Sequence, residues 1–295
     1  MGNGLIHRND SGEQDSMKAS TKRPRIASSG FSLVELTIVL LIIALLVGGM
    51  VVPLSAQRDM QNVGATEKQM AEIREALLGF AINYGRLPCP DTDQDGKEDI
   101  ALPVVSSGPL SGQQTEIHNG CLGALDEGGL PFATLGVPPS DAWGNRFRYR
   151  VSRTFTQSRI VREIATGNII SASSGFALGS PGDIEVMTRG NTGSAKGELL
   201  LASTLPVVIL SHGKNGYGTW SANGAALAAP PATNTDERMN ADASSKKKVS
   251  RFATPEAIPC SDSVVGPPFC EFDDIVVWIS RYALFNRLIS AGRLP

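Results

Sequence analysis

Residues 31–52 read FSLVELTIVLLIIALLVGGMVV, and this run decides how the rest of the chain is read. Of its 22 residues (31 through 52), only Glu35 is charged. A helix of that length, rising about 1.5 Å per residue, matches the thickness of a bilayer core. Lys18, Lys22, Arg23 and Arg25 precede it, with no acid between Lys18 and the apolar run. The positive-inside rule then keeps the N-terminus cytoplasmic and sends everything beyond Val52 outside. A secretory signal peptide fits less well, because its apolar region spans about 7–15 residues and is followed by small residues at the cleavage site. Here the run is longer, and Ser28, Ser29 and Gly30 come before it. A passive anchor does not account for Glu35. An acid at the centre of a bilayer costs about 2.5–3.5 kcal/mol on insertion scales, and less near an end, so Glu35 reads as functional.

Gly30, Phe31, Ser32, Leu33, Val34, Glu35 and Leu36 together resemble the processing signal of type IV pilins and type II secretion pseudopilins. The resemblance implies cleavage between Gly30 and Phe31 by a prepilin peptidase and N-methylation of the new terminus at Phe31. It also implies a single-pass inner-membrane precursor with a periplasmic domain, which later joins a pilus or pseudopilus. Its implied partners are the peptidase, an inner-membrane assembly platform and other pilin subunits. In a packed filament, the Phe31 ammonium of one subunit and the Glu35 carboxylate of another compensate each other when their geometry is good. Met17 is a second candidate start, leaving a shorter basic leader.

Pro53 follows the run directly, and Gly48 and Gly49 weaken the helix just before it, so a kink is expected there. Beyond it, Met60, Val63, Met70, Ile73, Leu77, Phe80 and Tyr84 recur mostly at spacings of three or four. That pattern predicts an amphipathic helix over residues 53–84, with its stripe packed on a sheet. After Gly85 the chain punctuates with Gly and Pro, of which it holds 31 and 18; such frequent breakers favour turns over a helical bundle. Strands are expected at 147–151, 159–164, 184–188, 205–210 and 274–279, and a closing helix is expected around Tyr282, Leu284, Phe285, Leu288 and Ile289. Residues 221–250 read as an exposed or mobile loop, with Lys246, Lys247 and Lys248 as a solvated basic patch.

Residues 141–149, DAWGNRFRY, are similar to the D-P-W-G-N segment of major pseudopilins, with Ala142 where that family has Pro. Ser211 to Gly216 and Asp273 to Trp278 resemble that family's C-terminal loop and last strand. The family commonly binds calcium in this loop; here the loop is expanded and Asn215 stands where an acid is usual, which weighs against the same site. The organisation is then a leader over 1–30, an apolar helix over 31–52, its amphipathic continuation over 53–84 and a globular domain over 85–295 with an insertion at 221–250. The expected fold is α+β and pilin-like: a long kinked N-terminal helix packed on a small antiparallel sheet.

The four cysteines, Cys89, Cys121, Cys260 and Cys270, include no C-x-x-C pair. In an oxidising compartment they form two disulfides with three connectivities, of which the sequence-local pairing is preferred. Asp91, Asp93, Asp95 and Asp99 form D-x-D-x-D-G-x-x-D, which gathers carboxylates on one side of a loop as calcium requires. Leu102 stands where an EF-hand needs Glu, which excludes that motif. A polar turn beside the Cys89 disulfide is the plainer alternative.

Catalytic signatures are missing. His7, His118 and His212 belong to no H-E-x-x-H motif, and no G-x-S-x-G elbow occurs. A net charge of -2 gives no general attraction for nucleic acid. The expected function is a structural, non-enzymatic filament subunit of minor or specialised type that needs no cofactor. The alternatives are a calcium-dependent binding or adhesion module at a pilus tip and, less favoured, a membrane-anchored periplasmic enzyme.

Overall fold

The computed structural model describes residues 32–123, 126–188, 199–251, 260–264 and 270–294, without the side chains of 47–56. Contacts divide the chain into two units, residues 1–54 and 55–295.

Helix α1 runs Leu33–Tyr84. Ser32 accepts a hydrogen bond from the Glu35 amide at 3.2 Å, capping its first turn. In the first unit its described apolar side chains are all exposed, Leu33 at 80% and Leu45 at 69%. The expected membrane-spanning segment is corrected: among the described residues no helix is long and apolar enough to cross a membrane. The single-pass inner-membrane placement is corrected with it. Gly30 and Phe31 lie outside the described residues; at Gly48, Gly49 and Pro53, where a kink was expected, only the helical backbone is described.

In the second unit the expected stripe is partly corrected. Met70, Ile73, Leu77 and Phe80 are buried, while Met60 and Val63 are exposed. Thr66 replaces them as the buried residue one turn earlier, accepting the Ala142 amide at 3.2 Å.

The single small antiparallel sheet is also corrected, because the architecture beyond α1 is mostly β. Among the described residues eleven strands form three sheets. The first comprises β1 (Val104–Ser107), β2 (Gln113–Asn119), β5 (Gln157–Glu163) and β6 (Ile169–Ser174), paired in that order and antiparallel throughout. The second comprises β3 (Glu127–Gly129), β4 (Arg148–Val151), β9 (Val207–Ser211) and β11 (Ile275–Ile279), in the order β11-β9-β4-β3. The third orders β10 (Lys247–Val249), β7 (Ile184–Thr188) and β8 (Leu199–Leu205), and its β10–β7 pair is parallel. The remaining helices are short: α2 (Phe132–Leu135), α3 (Thr235–Ala241) and α4 (Arg281–Ser290).

Strand β9 shows why this layering forms. All five of its residues are buried, as expected of a continuous apolar run covered on both faces. Val207 and Ile209 join the core under α1 with Met70, Ile73, Leu77, Tyr149 and α4's Leu284, Phe285 and Leu288. Val208 and Leu210 join Ile184, Val186 and Leu205 of the third sheet on the opposite side.

The 221–250 insertion is not the exposed loop expected. It contains α3 and β10, and Asn234, Asp236, Glu237, Asn240, Lys248 and Val249 are buried. The basic patch is taken apart as well. Lys246 pairs with Asp183 at 2.7 Å, Lys247 with Glu185 at 3.7 Å and Lys248 with Glu127 at 2.7 Å. Disulfides join Cys89 to Cys121 and Cys260 to Cys270, with Cα separations of 5.3 and 5.1 Å.

The burial of the stripe makes a direct prediction. Leu77→Ala costs about 2–5 kcal/mol of stability, as for other buried leucines. Met60→Ala stays within about 0.5 kcal/mol, the range for exposed sites. Chemical denaturation midpoints of the two variants check this contrast.

Candidate functional site

Glu35 lies in the first turn of α1 and is exposed among apolar neighbours. Its carboxylate complements the positive end of the helix dipole, and no cation pairs with it among the described residues.

The 91–99 loop is held at its base by the Cys89–Cys121 disulfide and by a bidentate Arg86–Glu98 pair at 2.6 and 2.7 Å. Asp91 is buried; its Oδ1 accepts the Gln94 amide at 2.7 Å and its Oδ2 the Gly96 amide at 2.8 Å. Burial raises its pKa, Asp93 and Asp95 add to the rise, and the two amides oppose it. Gly96 adopts φ +83°, and a Cβ there would sit 2.4 Å from the Phe132 ring, so the turn requires glycine. Asp99 accepts the Thr92 amide at 2.7 Å and the Thr92 hydroxyl. Oxygens of Asp91, Asp93 and Asp99 lie within 4.8 Å of one another, a group able to hold a cation. Asp95 is not part of this group, which corrects the four-carboxylate set read from the sequence. It accepts the Lys97 amide at 2.7 Å and lies 3.5 Å from the Lys97 ammonium.

A second acidic group, Glu237, Asp273 and Asp274, was not legible in the sequence. Glu237 comes from α3 inside the insertion, while the two aspartates immediately precede β11. Asn215 donates from Nδ2 to both Glu237 oxygens, at 3.1 and 3.2 Å, and from its amide to Asp273 at 2.9 Å. Asp274 accepts from Asn240 at 2.7 Å and lies 3.0 Å from His212 Nδ1. Burial pushes Glu237 up to about 8, with Asp274 and Asp273 repelling its charge. Burial also pushes Asp273 up to about 6, with repulsion from Asp274 adding to it and the Asn215 amide opposing. Glu237 therefore keeps its proton at neutral pH, and a cation bound to the group would displace it.

Ser211 and His212 serve different acids. The Ser211 hydroxyl donates to Asp141 at 2.6 Å, whereas His212 faces Asp274. They therefore do not form a nucleophile and base.

No family model matches the chain, and no curated protein or solved structure matches it either.

The second acidic group fixes the sign of a pH effect. Unfolded, its carboxyls release their protons near pH 4. Folded, Asp273 and Glu237 keep theirs to about 6 and 8. Between those limits the unfolded chain binds fewer protons, so stability falls as pH rises. The melting temperature is expected to drop from pH 5 to pH 8. Glu237→Gln, which carries no charge to titrate, flattens the part of that decline above pH 6.

Proposed function

We propose that the chain is a filament subunit of the type IV pilus or type II secretion pseudopilus class, cut between Gly30 and Phe31 and assembled through α1. The observation that carries the reading is the exposed apolar surface over residues 33–46 of α1. A surface of that extent marks an interaction site, and in a filament the same helix from neighbouring copies covers it. Glu35 is the acid within that surface and lacks a cation of its own among the described residues. A neighbour's Phe31 ammonium supplies one, and burial of both groups together replaces the cost of burying either alone. The processing enzyme in this reading is a prepilin peptidase, and the further partners are an assembly platform and related subunits.

The reading is tested by intact mass with and without a coexpressed prepilin peptidase. A mature species beginning at N-methylated Phe31 is expected only with the peptidase; an uncut chain in both samples contradicts it. Glu35→Ala is expected to leave cleavage intact while reducing incorporation into filaments.

A second reading, a calcium-dependent binding module, is favoured by the convergence of Asp91, Asp93 and Asp99. Calcium favours clustered carboxylate oxygens of this kind. Here calcium is expected to raise the melting temperature, Asp93→Ala is expected to remove that rise, and Asp95→Ala is expected to keep it. Equal responses from the two variants contradict the site.

A further inference from the structure

Strand β2 places His118 on a mostly polar face of the first sheet. The register sets His118 across from Ser158 of β5, and Ser158 across from Ser174 of β6. Glu116, two residues along the strand, stands across from Ile160, and Ile160 across from Ala172. Side chains two apart on a strand share a face, so these residues form one surface. The sheet lies against the chain just beyond α1: Gly85 has φ +69°, and a Cβ there would meet the Ser173 carbonyl carbon at 2.8 Å. Arg293 ties the two together, donating to the Ile82 oxygen of α1 at 2.7 Å and to the Ala172 oxygen of β6 at 3.3 Å. Little apolar surface supports this attachment. Among the described residues the buried apolar side chains of the sheet are Ile160, Val161 and Ala172, and none belongs to the core under α1. Segments with few buried apolar contacts are the first to open.

His118 is 8% exposed, and neither of its ring nitrogens has a hydrogen-bond partner among the described residues. On its own strand, Glu116 comes to 3.6 Å from Nε2, but the Glu116 oxygens already accept from Gln114 at 2.9 Å and from Arg162 of β5 at 2.8 Å. Arg86, beyond α1, and Glu98, from the 91–99 loop, also face the ring, and they are bound to each other at 2.6 and 2.7 Å. Ser158 and Ser174 complete its row with hydroxyls that are likewise unpaired. A neutral imidazole fits this place. Burial, and then Arg86, hold its pKa below the ordinary histidine value, with Glu116 and Glu98 opposing. An imidazolium has two N–H donors to satisfy, and the acids facing it are engaged. A buried charge left unmet is costlier than a hydrated one, so protonation favours parting β2 from its surroundings.

We propose that His118 is an acid-sensitive latch, which holds the first sheet closed on the end of α1 while neutral and releases it once protonated. In the released sheet the ring is hydrated and takes its proton at the ordinary value, about 6.5. Below that pH the open form binds more protons than the closed one, so closure weakens as pH falls. The sign is opposite to that of Glu237 and Asp273, neither of which belongs to this sheet.

The test is hydrogen exchange of the full-length chain in neutral detergent at pH 7.5 and pH 5.5, read by mass spectrometry and corrected for the intrinsic exchange rate. Strands β2, β5 and β6 are expected to lose protection by up to about tenfold at the lower pH, the ratio set one unit below a histidine pKa of about 6.5. Strands β4, β9 and β11 are expected to show no such loss. His118→Asn, which has no proton to gain, keeps the first sheet equally protected at both pH values. A second measurement needs no variant: the His118 Hε1 resonance, followed by NMR in the parent protein, reports the ring taking its proton over the pH range in which protection is lost. Equal protection of the parent at both pH values, a loss shared equally by β4, β9 and β11, or a loss that persists in His118→Asn overturns the proposal. So does a ring that takes its proton over that range while the sheet stays protected.

Discussion

Glu127 sits in β3 with no exposed side-chain surface, and three cations converge on it: Arg148 at 2.6 Å, Arg150 at 3.0 Å and Lys248 at 2.7 Å. Two of these come from the adjacent strand β4 and the third from β10 at the end of the insertion. A buried carboxylate is tolerable only when it is paired and its remaining lone pairs are met. The surplus positive charge is spread onto backbone carbonyls. Lys248 reaches Asn240 and Asp242, each at 3.0 Å, Arg150 reaches Ala243 at 2.8 Å, and Arg148 reaches Gly218 at 2.6 Å. Even so, burial pulls the Lys248 ammonium down to about 8, with Glu127 opposing and the two arginines contributing to the fall.

That cluster is what makes the insertion part of the domain. Once Lys248 is anchored, β10 pairs with β7, and Asn240 of α3 bonds Val249 on one side and Asp274 on the other. Glu237, on the same short helix, is thereby held against Asp273 and Asp274. The acidic group and its raised proton affinities follow from where α3 is fixed. Breaking a buried ion pair by removing one partner costs about 3–5 kcal/mol, because the other charge is left behind. The site is consequently sensitive to residues that do not touch it.

Legibility in the sequence tracked periodicity. The stripe from Met70 to Phe80, the strands near 184–188, 205–210 and 274–279 and the closing helix carried apolar repeats, and the structure forms elements there. Strands β2 (QQTEIHN) and β10 (KKV) carried none; partners distant in sequence make them strands. Lys248 reads as solvated because nothing local announces Glu127, 121 residues earlier. The 91–99 loop was legible as an acidic turn, but its sequence could not say that Asp95 folds back on Lys97 while Asp91 and Asp99 converge. Glu237 was illegible for the same reason as Lys248. Its significance comes from Asp273 and Asp274, 36 and 37 residues away (273 − 237 and 274 − 237).

The most direct test of this account is hydrogen exchange across the insertion in Glu127→Gln, which keeps the shape and removes the charge that the three cations share. The account predicts that amide protection is lost together over α3 and β10, while the helix and strands of the core under α1 keep theirs. Protection of α3 and β10 unchanged from the parent protein would contradict it, and would mean that the insertion is held by packing in which Glu127 has no part.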